Sequence, residues 1–542
     1  MAMSGFMRSL PEQDEARAAR PAVPASAAAG AGAEAKHLTP VWDFVRTYAK
    51  SNTVRFHMPG HKGRSILGCE PFDLTEIAGA DSLYEADGIL TESEQTAAAL
   101  FGAGCTLYST EGSSQCIRAM LFLALQNWRK HMQPAGPSAH GISESKLSQI
   151  DSASRPFPSA SSRPVILAAR NAHKAFLYAA ALLDFDIVWL WPDEAASQDT
   201  GSATASICSC PIRTEGLAAA LEALPAPPAA VYITSPDYLG GEADLSALSA
   251  VCHRFGTLFL VDNAHGAYLH FLEQPRHPLD CGADLCCDSA HKTLPVLTGG
   301  AYLHLSHAFC ASFPAPSAAR EAAKQALALF GSTSPSYLIL SSLDCCNQML
   351  SGAYRSRLSA CISHLLKVRA ALRELGLSIP ASDPLHITID AARSCPENPV
   401  RLSGTALAQG LRAHGIECEY ADEDYLVLMA TPENKETDFA RLLDAFRAML
   451  SAEAAEKQLK NTAQIKKAPL PHTRPEQALS VRAAIFAPHE CIRAKDSLGR
   501  ILSAPTVSCP PAIPIVMPGE RIGQEALQLF AQYHISNVDV ML

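Results

Sequence analysis

The sequence has no excess of positive charge and few charged residues altogether. Its 44 Lys and Arg residues against 54 Asp and Glu residues give a formal net charge of −10 at pH 7, and charged residues make up 18% of the chain. General nucleic-acid binding requires Lys and Arg clustered on one face, where they displace counterions from phosphates. The composition therefore argues against a general nucleic-acid-binding protein.

Long hydrophobic runs are also missing. No run reaches the roughly 18 apolar residues needed to cross a bilayer. The first 36 residues are rich in Ala, Pro and charge, and they lack the uninterrupted apolar stretch of a secretory signal. We therefore expect a cytoplasmic protein without a membrane partner, in which residues 1–36 form a disordered tail.

The 17 cysteines include no C-x-x-C pair. The pairs Cys208/Cys210 and Cys286/Cys287 have no second pair at the spacing of a zinc ribbon. In a long chain, cysteines scattered through apolar segments are typical of reduced thiols in the core. We predict buried free thiols and no metal site.

The 48% of hydrophobic residues suffice for a large core, and they are arranged in alternating strand and helix patterns. Residues 164–168, 230–234 and 257–261 are short apolar runs of strand length, whereas residues 115–128 and 245–255 have helical patterns. Apolar strands separated by helices predict an α/β fold with a mostly parallel sheet covered on both faces. In such sheets, chemistry is expected at the carboxyl ends of the strands.

Three segments without hydrophobic periodicity divide the chain. Residues 133–164 and 195–210 are rich in Ser and predict surface insertions, the first within the large domain. Residues 456–475 are charged and then proline-rich, which predicts an interdomain linker. The boundaries define a large domain at 37–310, a small α/β domain at 311–455 and a C-terminal domain at 476–542.

Residues 111–114, Glu-Gly-Ser-Ser, lie directly before the predicted helix at 115–128. A glycine allows close backbone approach to an anion, and the hydroxyls and the helix start supply donors, so the segment can hold a phosphate. Taken alone, the tetrapeptide is better explained by an ordinary serine N-cap.

Three further side chains follow predicted strands. Asp262 ends an apolar strand and needs a cationic or donor partner, such as a protonated pyridine nitrogen or a structural salt bridge. Lys292 lies between an apolar strand and a Gly-rich turn; a single lysine is more often exposed to solvent, but a desolvated amine becomes a nucleophile toward aldehydes. His173 either stacks on a flat ring or fills a gap in the core. Together with the phosphate cradle, these side chains match the needs of pyridoxal 5′-phosphate.

At these residues the sequence resembles the bacterial ornithine/lysine/arginine decarboxylase family, whose large domain has the aspartate-aminotransferase-like fold (fold type I). The resemblance runs from about residue 40 to the C-terminus. Without a receiver-like domain before residue 40, the chain is similar to the shorter, Gram-positive arginine decarboxylase type of the family. Its motifs lie at residues 57–63, 73–76, 289–295, 332–337, 383–385 and 510–520.

The resemblance implies that pyridoxal phosphate binds the 37–310 domain, that smaller α+β domains follow it, and that the 476–542 domain is the family's C-terminal decarboxylase domain. Lys292 would bind the cofactor aldehyde, Asp262 the pyridine nitrogen, and His173 would stack on the ring. Lys292, His291 and His173 are the implied catalytic residues. The implied cofactor-binding residues are Ser113, Ser114, His173, Asp262, His265, Ser289, His291, Lys292, Thr333 and Ser334.

The family also implies a homodimer or larger oligomer with shared active sites, in which Thr333 or Ser334 reaches the phosphate of a neighbouring subunit. Glu520 is the implied partner of the distal cation of the substrate. Three residues depart from the family pattern. Ala175 replaces a small hydroxyl residue, and Cys509 and Ala512 replace a tyrosine and a glycine near the presumed substrate end.

The expected reaction is decarboxylation of arginine, lysine or ornithine to the corresponding amine and CO₂, within polyamine-related metabolism. A different fold-type I reaction, by an aminotransferase or a lyase, stays open because the same cofactor supports it. A cofactor-binding paralogue without activity is the other alternative, for which Ala175 and Cys509 are the hints.

Overall fold

The computed structural model describes residues 38–85, 87–132, 163–192, 206–395, 402–451, 474–505 and 513–542. These residues belong to one compact unit, Leu38–Leu542. The expected tail at 1–36, nearly all of the insertion at 133–164 and most of the linker at 456–475 lie outside the described residues. No helix in the described ranges is long and apolar enough to cross a membrane.

A seven-stranded sheet forms the centre of the unit. Its strands are ordered β1-β7-β6-β5-β4-β2-β3, and only the pairings of β7 with β1 and β6 are antiparallel. Most strand residues are buried because helices cover both faces, which explains the continuous apolar runs of the sequence. The strands are β1 Cys105–Ser109, β2 Val165–Ala169, β3 Asp186–Leu190, β4 Ala230–Thr234, β5 Leu258–Asp262, β6 Leu285–Asp288 and β7 Ala301–Leu305.

Fifteen α-helices lie in the described residues. They are α1 Pro40–Lys50, α2 Ile89–Phe101, α3 Ser113–Met132, α4 Lys174–Leu183, α5 Thr214–Glu222, α6 Leu245–Arg254, α7 Ala290–Thr293, α8 His307–Ala311, α9 Pro316–Ala328, α10 Tyr337–Ser351, α11 Tyr354–Glu374, α12 Gly404–Ala413, α13 Glu436–Met449, α14 Val481–Ile485 and α15 Gln524–Gln532.

Two hydrophobic layers enclose the sheet. On one face, α3, α4 and α9 pack against the strands through residues such as Leu121 and Phe176. On the other face, α5 and α6 contribute Leu217 and Leu248 to a separate cluster with Val231 of β4. The expected mostly parallel α/β sheet, covered on both faces, is confirmed.

Two smaller sheets follow in the chain. β8 His386–Asp390, β10 Tyr425–Met429 and β9 Tyr420–Ala421 form a three-stranded antiparallel sheet. β11 His489–Arg493 and β12 Asn537–Met541 form a two-stranded antiparallel sheet. Both agree with the expectation of smaller α+β regions after the large sheet, while the exact domain boundaries stay a prediction.

One loop differs from its expected surface position. The described end of the 195–210 segment is buried, with Ser206 at 2%, Cys208 at 0% and Cys210 at 8% exposure. Cys208 lies in a small apolar cluster with Tyr420 and Tyr425 of the three-stranded sheet. The polar composition of residues 195–205 concealed this buried contact. The cysteines that the structure describes are free thiols, and most of them are buried.

Candidate active site

Four strand ends and one helix start meet at the same edge of the large sheet. Because β2, β4, β5 and β6 run parallel, the residues that follow them emerge together. β1 is antiparallel to β7, which is antiparallel to β6, so residues 110–113 reach this edge as well. The sequence-predicted residues His173, Asp262 and Lys292 lie at or just beyond these strand ends.

Lys292 lies in α7, the single helical turn that follows β6. Its Nζ is 2.7 Å from Nε2 of His265, and it lies 5.7 Å from the ring centroid of Tyr238. Burial, together with the charge of Lys292, holds the pKa of His265 well below its usual value. His265 is therefore neutral and accepts a hydrogen bond from the lysine amine.

Asp262 is the last residue of β5 and is 2% exposed. The Tyr232 hydroxyl donates to Asp262 Oδ2 at 3.0 Å, and the Ala264 amide donates to Oδ1 at 3.2 Å. The Cys287 thiol lies 3.8 Å from Oδ1. Burial raises the pKa of Asp262 even though Tyr232 and Lys292 favour the ionised form. A further cation beside this carboxylate would offset the cost of its burial.

His173 is the N-cap of α4, and its Nδ1 accepts a hydrogen bond from the Ala175 amide at 3.1 Å. This bond places a proton on Nε2 of the neutral ring. Burial and the nearby Lys292 lower the pKa of His173 to about 4. A neutral, fixed imidazole of this kind can stack on an aromatic ring. The bond uses the main chain of Ala175, so this contact does not need the hydroxyl that the family usually has there.

The phosphate cradle expected at residues 111–114 is open to a ligand. Gly112 has a φ of +72°, and a Cβ placed on it would meet no atom within 4 Å. Ser113 and Ser114 form the first turn of α3, whose leading amides have no partner within the helix. The Ser289 hydroxyl donates to Ser113 Oγ at 2.8 Å and joins the cradle from the end of β6.

His291 borders the cradle from α7. Its Nδ1 donates to the Gly300 carbonyl at 3.0 Å, which fixes the tautomer. Burial lowers the pKa of His291, so the ring is neutral near pH 7. Its remaining nitrogen is an acceptor in this tautomer.

These features fit pyridoxal phosphate. The cradle supplies hydroxyls and amides for the phosphate, and it lies at the N-terminus of the 20-residue helix α3. The buried, insufficiently compensated Asp262 suits a protonated ring nitrogen, and Lys292 suits the aldehyde.

Thr333 and Ser334 are exposed in a loop before α10. The Ser332 amide donates to a carboxylate oxygen of Glu111, the residue before Gly112. The loop is thus tied to the cradle of its own chain, while the predicted contact of Thr333 or Ser334 with a second subunit stays a prediction.

Glu520, the predicted partner of the substrate cation, is paired with an arginine of its own chain. Its two carboxylate oxygens accept hydrogen bonds from Arg170 at 2.7 and 2.6 Å, and Oε2 also accepts from the Met517 amide at 2.7 Å. Glu520 is 2% exposed and the Arg170 side chain 11%. Within this chain the carboxylate is committed to Arg170 and does not present an open acceptor to a substrate cation. The sequence does not reveal this pair, because the two residues are 350 positions apart.

Cys509 lies outside the described residues.

Several residues of the site were not among those predicted. Tyr232, Cys287 and Arg170 bind predicted site residues directly. Tyr238 and His386 pack against His265, with ring centroids 5.0 and 5.3 Å away. Their sequence neighbourhoods are ordinary strands and loops, so only the pairing of strands reveals them.

A second buried carboxylate, Asp288, ends β6 next to Ser289. It accepts hydrogen bonds from Asn263 Nδ2 at 2.7 Å, from His277 Nε2 at 3.1 Å and from His304 Nε2 at 3.2 Å. Burial alone would raise the pKa of Asp288, but the two histidines hold it well below its usual value. His277, Cys286 and Asp288 could also hold a metal ion by their spacing. The protein donors already satisfy Asp288, so nothing here requires an ion.

Comparison with known proteins gives the same assignment. The sequence-family model of the Orn/Lys/Arg decarboxylase major domain matches residues 158–388. The family model of the Orn/Lys/Arg decarboxylase C-terminal domain matches residues 457–536. An arginine decarboxylase of Bacillus subtilis is 26% identical over 529 residues, covering 94% of this chain and 95% of that protein. An arginine decarboxylase of Bacillus anthracis is 24% identical over 514 residues, covering 90% and 92%.

The fold of the chain is also found in solved structures. A lysine decarboxylase of Francisella novicida superposes with a TM-score of 0.67 at 16% identity, covering 93% of this chain and 81% of that chain. The constitutive lysine decarboxylase of E. coli gives a TM-score of 0.63 at 18% identity, covering 93% and 82%.

The fold and the site together define a fold-type I, pyridoxal-phosphate-dependent enzyme. Within that class, the chain belongs to the Orn/Lys/Arg decarboxylase family. Its reaction is therefore the decarboxylation of a basic amino acid.

Proposed function

We propose that Lys292, Asp262, His173 and the Ser113/Ser289 cradle hold pyridoxal phosphate for the decarboxylation of arginine, lysine or ornithine. The observation that carries the proposal is the meeting of an amine, a buried carboxylate and a hydroxyl-lined helix start at one sheet edge. Relatives named arginine decarboxylase and lysine decarboxylase support the basic substrate class.

Each residue has a physical task. When bound, the cofactor supplies a conjugated ring that accepts the electron pair left by departing CO₂. Asp262 would keep the ring nitrogen protonated, and the neutral His173 would pack against the ring. The cradle would hold the phosphate and so position the cofactor.

Loss of CO₂ requires a proton at Cα afterwards. Lys292 and His291 are the two nearby groups we propose for this step. His265 holds the Lys292 amine at 2.7 Å, so the amine has a fixed starting position. The Nδ1 of His291 is committed to Gly300, so Nε2 must first take up a proton before His291 can donate one to Cα.

We further propose that the active unit is a homo-oligomer. An apolar segment near the N-terminus is exposed in the single chain, where it would be unfavourable in water. Phe56 is 94%, Leu67 86% and Ile66 82% exposed. A second copy of the chain would bury these side chains, and Thr333 and Ser334 could then serve the neighbouring site.

The test uses purified protein loaded with cofactor and incubated separately with arginine, lysine and ornithine. We expect CO₂ together with agmatine, cadaverine or putrescine from the preferred substrate. Lys292→Ala should lose both the product and the visible absorbance of the bound cofactor.

The control is Lys367→Ala, which removes an exposed lysine of α11 and should retain both signals. Protein that is coloured but inactive toward all three substrates would contradict the proposed substrate class. Keto-acid formation in place of CO₂ would instead indicate an aminotransferase.

A further inference from the structure

Tyr232 lies in the middle of an interior, mostly apolar strand. β4 reads Ala-Val-Tyr-Ile-Thr and pairs in parallel with β5, which ends at Asp262. Tyr232 is fully buried, and its ring stacks on Phe176 with centroids 4.5 Å apart and an interplanar angle of 30°. A buried phenol hydroxyl is costly unless it finds an acceptor.

Its acceptor is the carboxylate at the centre of the proposed site. The hydroxyl donates to Asp262 Oδ2 at 3.0 Å. Burial raises the pKa of Tyr232 well above its usual value, so the hydroxyl keeps its proton and acts as a donor throughout the physiological range. The Phe176 stack fixes the ring and therefore the direction of this donor.

Groups from five neighbouring segments interact with Asp262. Tyr232 comes from β4, Cys287 from β6 and the Ala264 amide from the loop after β5. Lys292 on α7 and the buried thiol of Cys116 on α3 interact with it electrostatically. Lys292 is the only cation in this group of residues, and the proposed function assigns its amine to the cofactor aldehyde. Tyr232 is therefore the strongest hydrogen-bond donor that stays with Asp262.

We propose that Tyr232 is a positioning residue for Asp262: its hydroxyl keeps the carboxylate ionised and oriented, and thereby sets how strongly the site protonates the pyridine nitrogen. This inference rests on the role proposed for Asp262. Without the hydroxyl, the carboxylate is harder to ionise, so a proton shared between Asp262 and the ring nitrogen moves toward Asp262. A less protonated ring is a weaker electron acceptor.

The test compares Tyr232→Phe with Tyr302→Phe. Both changes remove one hydroxyl from a fully buried tyrosine of the large sheet, but only Tyr232 hydrogen-bonds to Asp262 among these two. The main readout is the solid-state ¹⁵N NMR resonance of the ring nitrogen in ¹⁵N-labelled pyridoxal phosphate bound to each protein. It distinguishes a protonated from a neutral pyridine and does not depend on turnover.

For Tyr232→Phe we expect the resonance to move toward that of a neutral ring. We expect kcat to fall about 10- to 100-fold, the effect of one hydrogen bond to a charged group, with KM changed little. Tyr302→Phe should match the wild type in both readouts. Cys287→Ala removes the weaker donor and should shift the resonance in the same direction by less, which provides a second test if Tyr232→Phe folds poorly.

An unchanged resonance in Tyr232→Phe, or equal shifts in Tyr232→Phe and Tyr302→Phe, would overturn the proposal. Asp262→Asn distinguishes a failure of the role proposed for Tyr232 from a failure of the role proposed for Asp262. If Asp262→Asn shifts the resonance but Tyr232→Phe does not, the role of Tyr232 fails and that of Asp262 stands. If Asp262→Asn leaves the resonance unchanged, the proposed role of Asp262 itself fails.

Discussion

Asp262 and Asp288 end neighbouring strands of one sheet and are both buried, yet their environments differ. Asp288 accepts hydrogen bonds from His277, His304 and Asn263, and its pKa is lowered. Asp262 accepts from a phenol, a thiol and an amide, and its pKa is raised. The charge of Asp288 is thus compensated by the fold alone. Asp262 is left short of positive charge, as expected for a carboxylate that receives a cation from a ligand.

The largest expected effect is that substitution of Asp262 impairs catalysis, whereas substitution of Asp288 impairs stability. Asp262→Asn should lower kcat about 10³-fold, because a fixed charge opposite the reacting ring is lost, with a small change in stability. Asp288→Asn should instead lower the free energy of unfolding by about 2 kcal/mol, because two buried histidines lose their hydrogen bonds to a charged acceptor. Steady-state kinetics and urea denaturation of both variants measure the contrast. Similar profiles for the two variants would show that the distinction is wrong.

Glu520 should behave like Asp288, because the fold compensates its charge through Arg170. Glu520→Ala is expected to lower the free energy of unfolding by about 3 kcal/mol, the usual cost of breaking a buried ion pair. The matched control is Glu417→Ala, which removes the exposed partner of Arg412 and should leave stability unchanged within error. A Glu520→Ala protein of normal stability that has lost affinity for the substrate would restore the role suggested by the sequence.

The smallest expected effect concerns His173 in cofactor-free protein. Its pKa is about 4 in the folded state and near 6.5 when unfolded, so the unfolded chain binds the proton first. Stability is therefore complete above pH 6.5 and falls as the pH decreases toward 4, by at most about 2 kcal/mol at pH 5.

The measurement is the difference between the wild type and His173→Asn in urea denaturation at pH 7 and pH 5. The difference is needed because burial raises the pKa values of Asp237 and Glu242, to about 6 and about 7, which acts with the opposite sign. Equal pH dependence in both proteins would show that His173 is not held neutral.

Local patterns in the sequence predicted most of the large sheet and the positions of the main site residues. The apolar run at 230–234 coincides with β4, and the helix expected at 115–128 is α3, which extends to Ser113–Met132. Lys292 and Asp262 were recognisable because a charged residue at the end of an apolar strand needs an explanation. Their partners could not be recognised in the same way. Tyr232 lies beside Asp262 because of the order of the strands in the sheet, and no local sequence pattern determines that order.

Glu520 also shows that local sequence patterns do not reveal the partners of a site residue. A motif indicated that the residue matters, and it does bind a cation, but the cation is Arg170 of the same chain. A sequence motif identifies a carboxylate without identifying its partner. Only the packing of the C-terminal region against the end of β2 distinguishes a substrate cation from an internal arginine.

The Arg170–Glu520 pair also has a consequence for how the protein is made. A ribosome releases Arg170, and soon afterwards His173, long before residue 520 has been synthesised. Trp189 and Trp191, whose rings the guanidinium contacts in the folded chain, are synthesised soon after Arg170, whereas the carboxylate partner is not yet present. The ion pair at the end of β2 therefore forms only after the segment around Glu520 has been synthesised. A chain truncated before Glu520 should form the large sheet but leave Arg170 without this carboxylate.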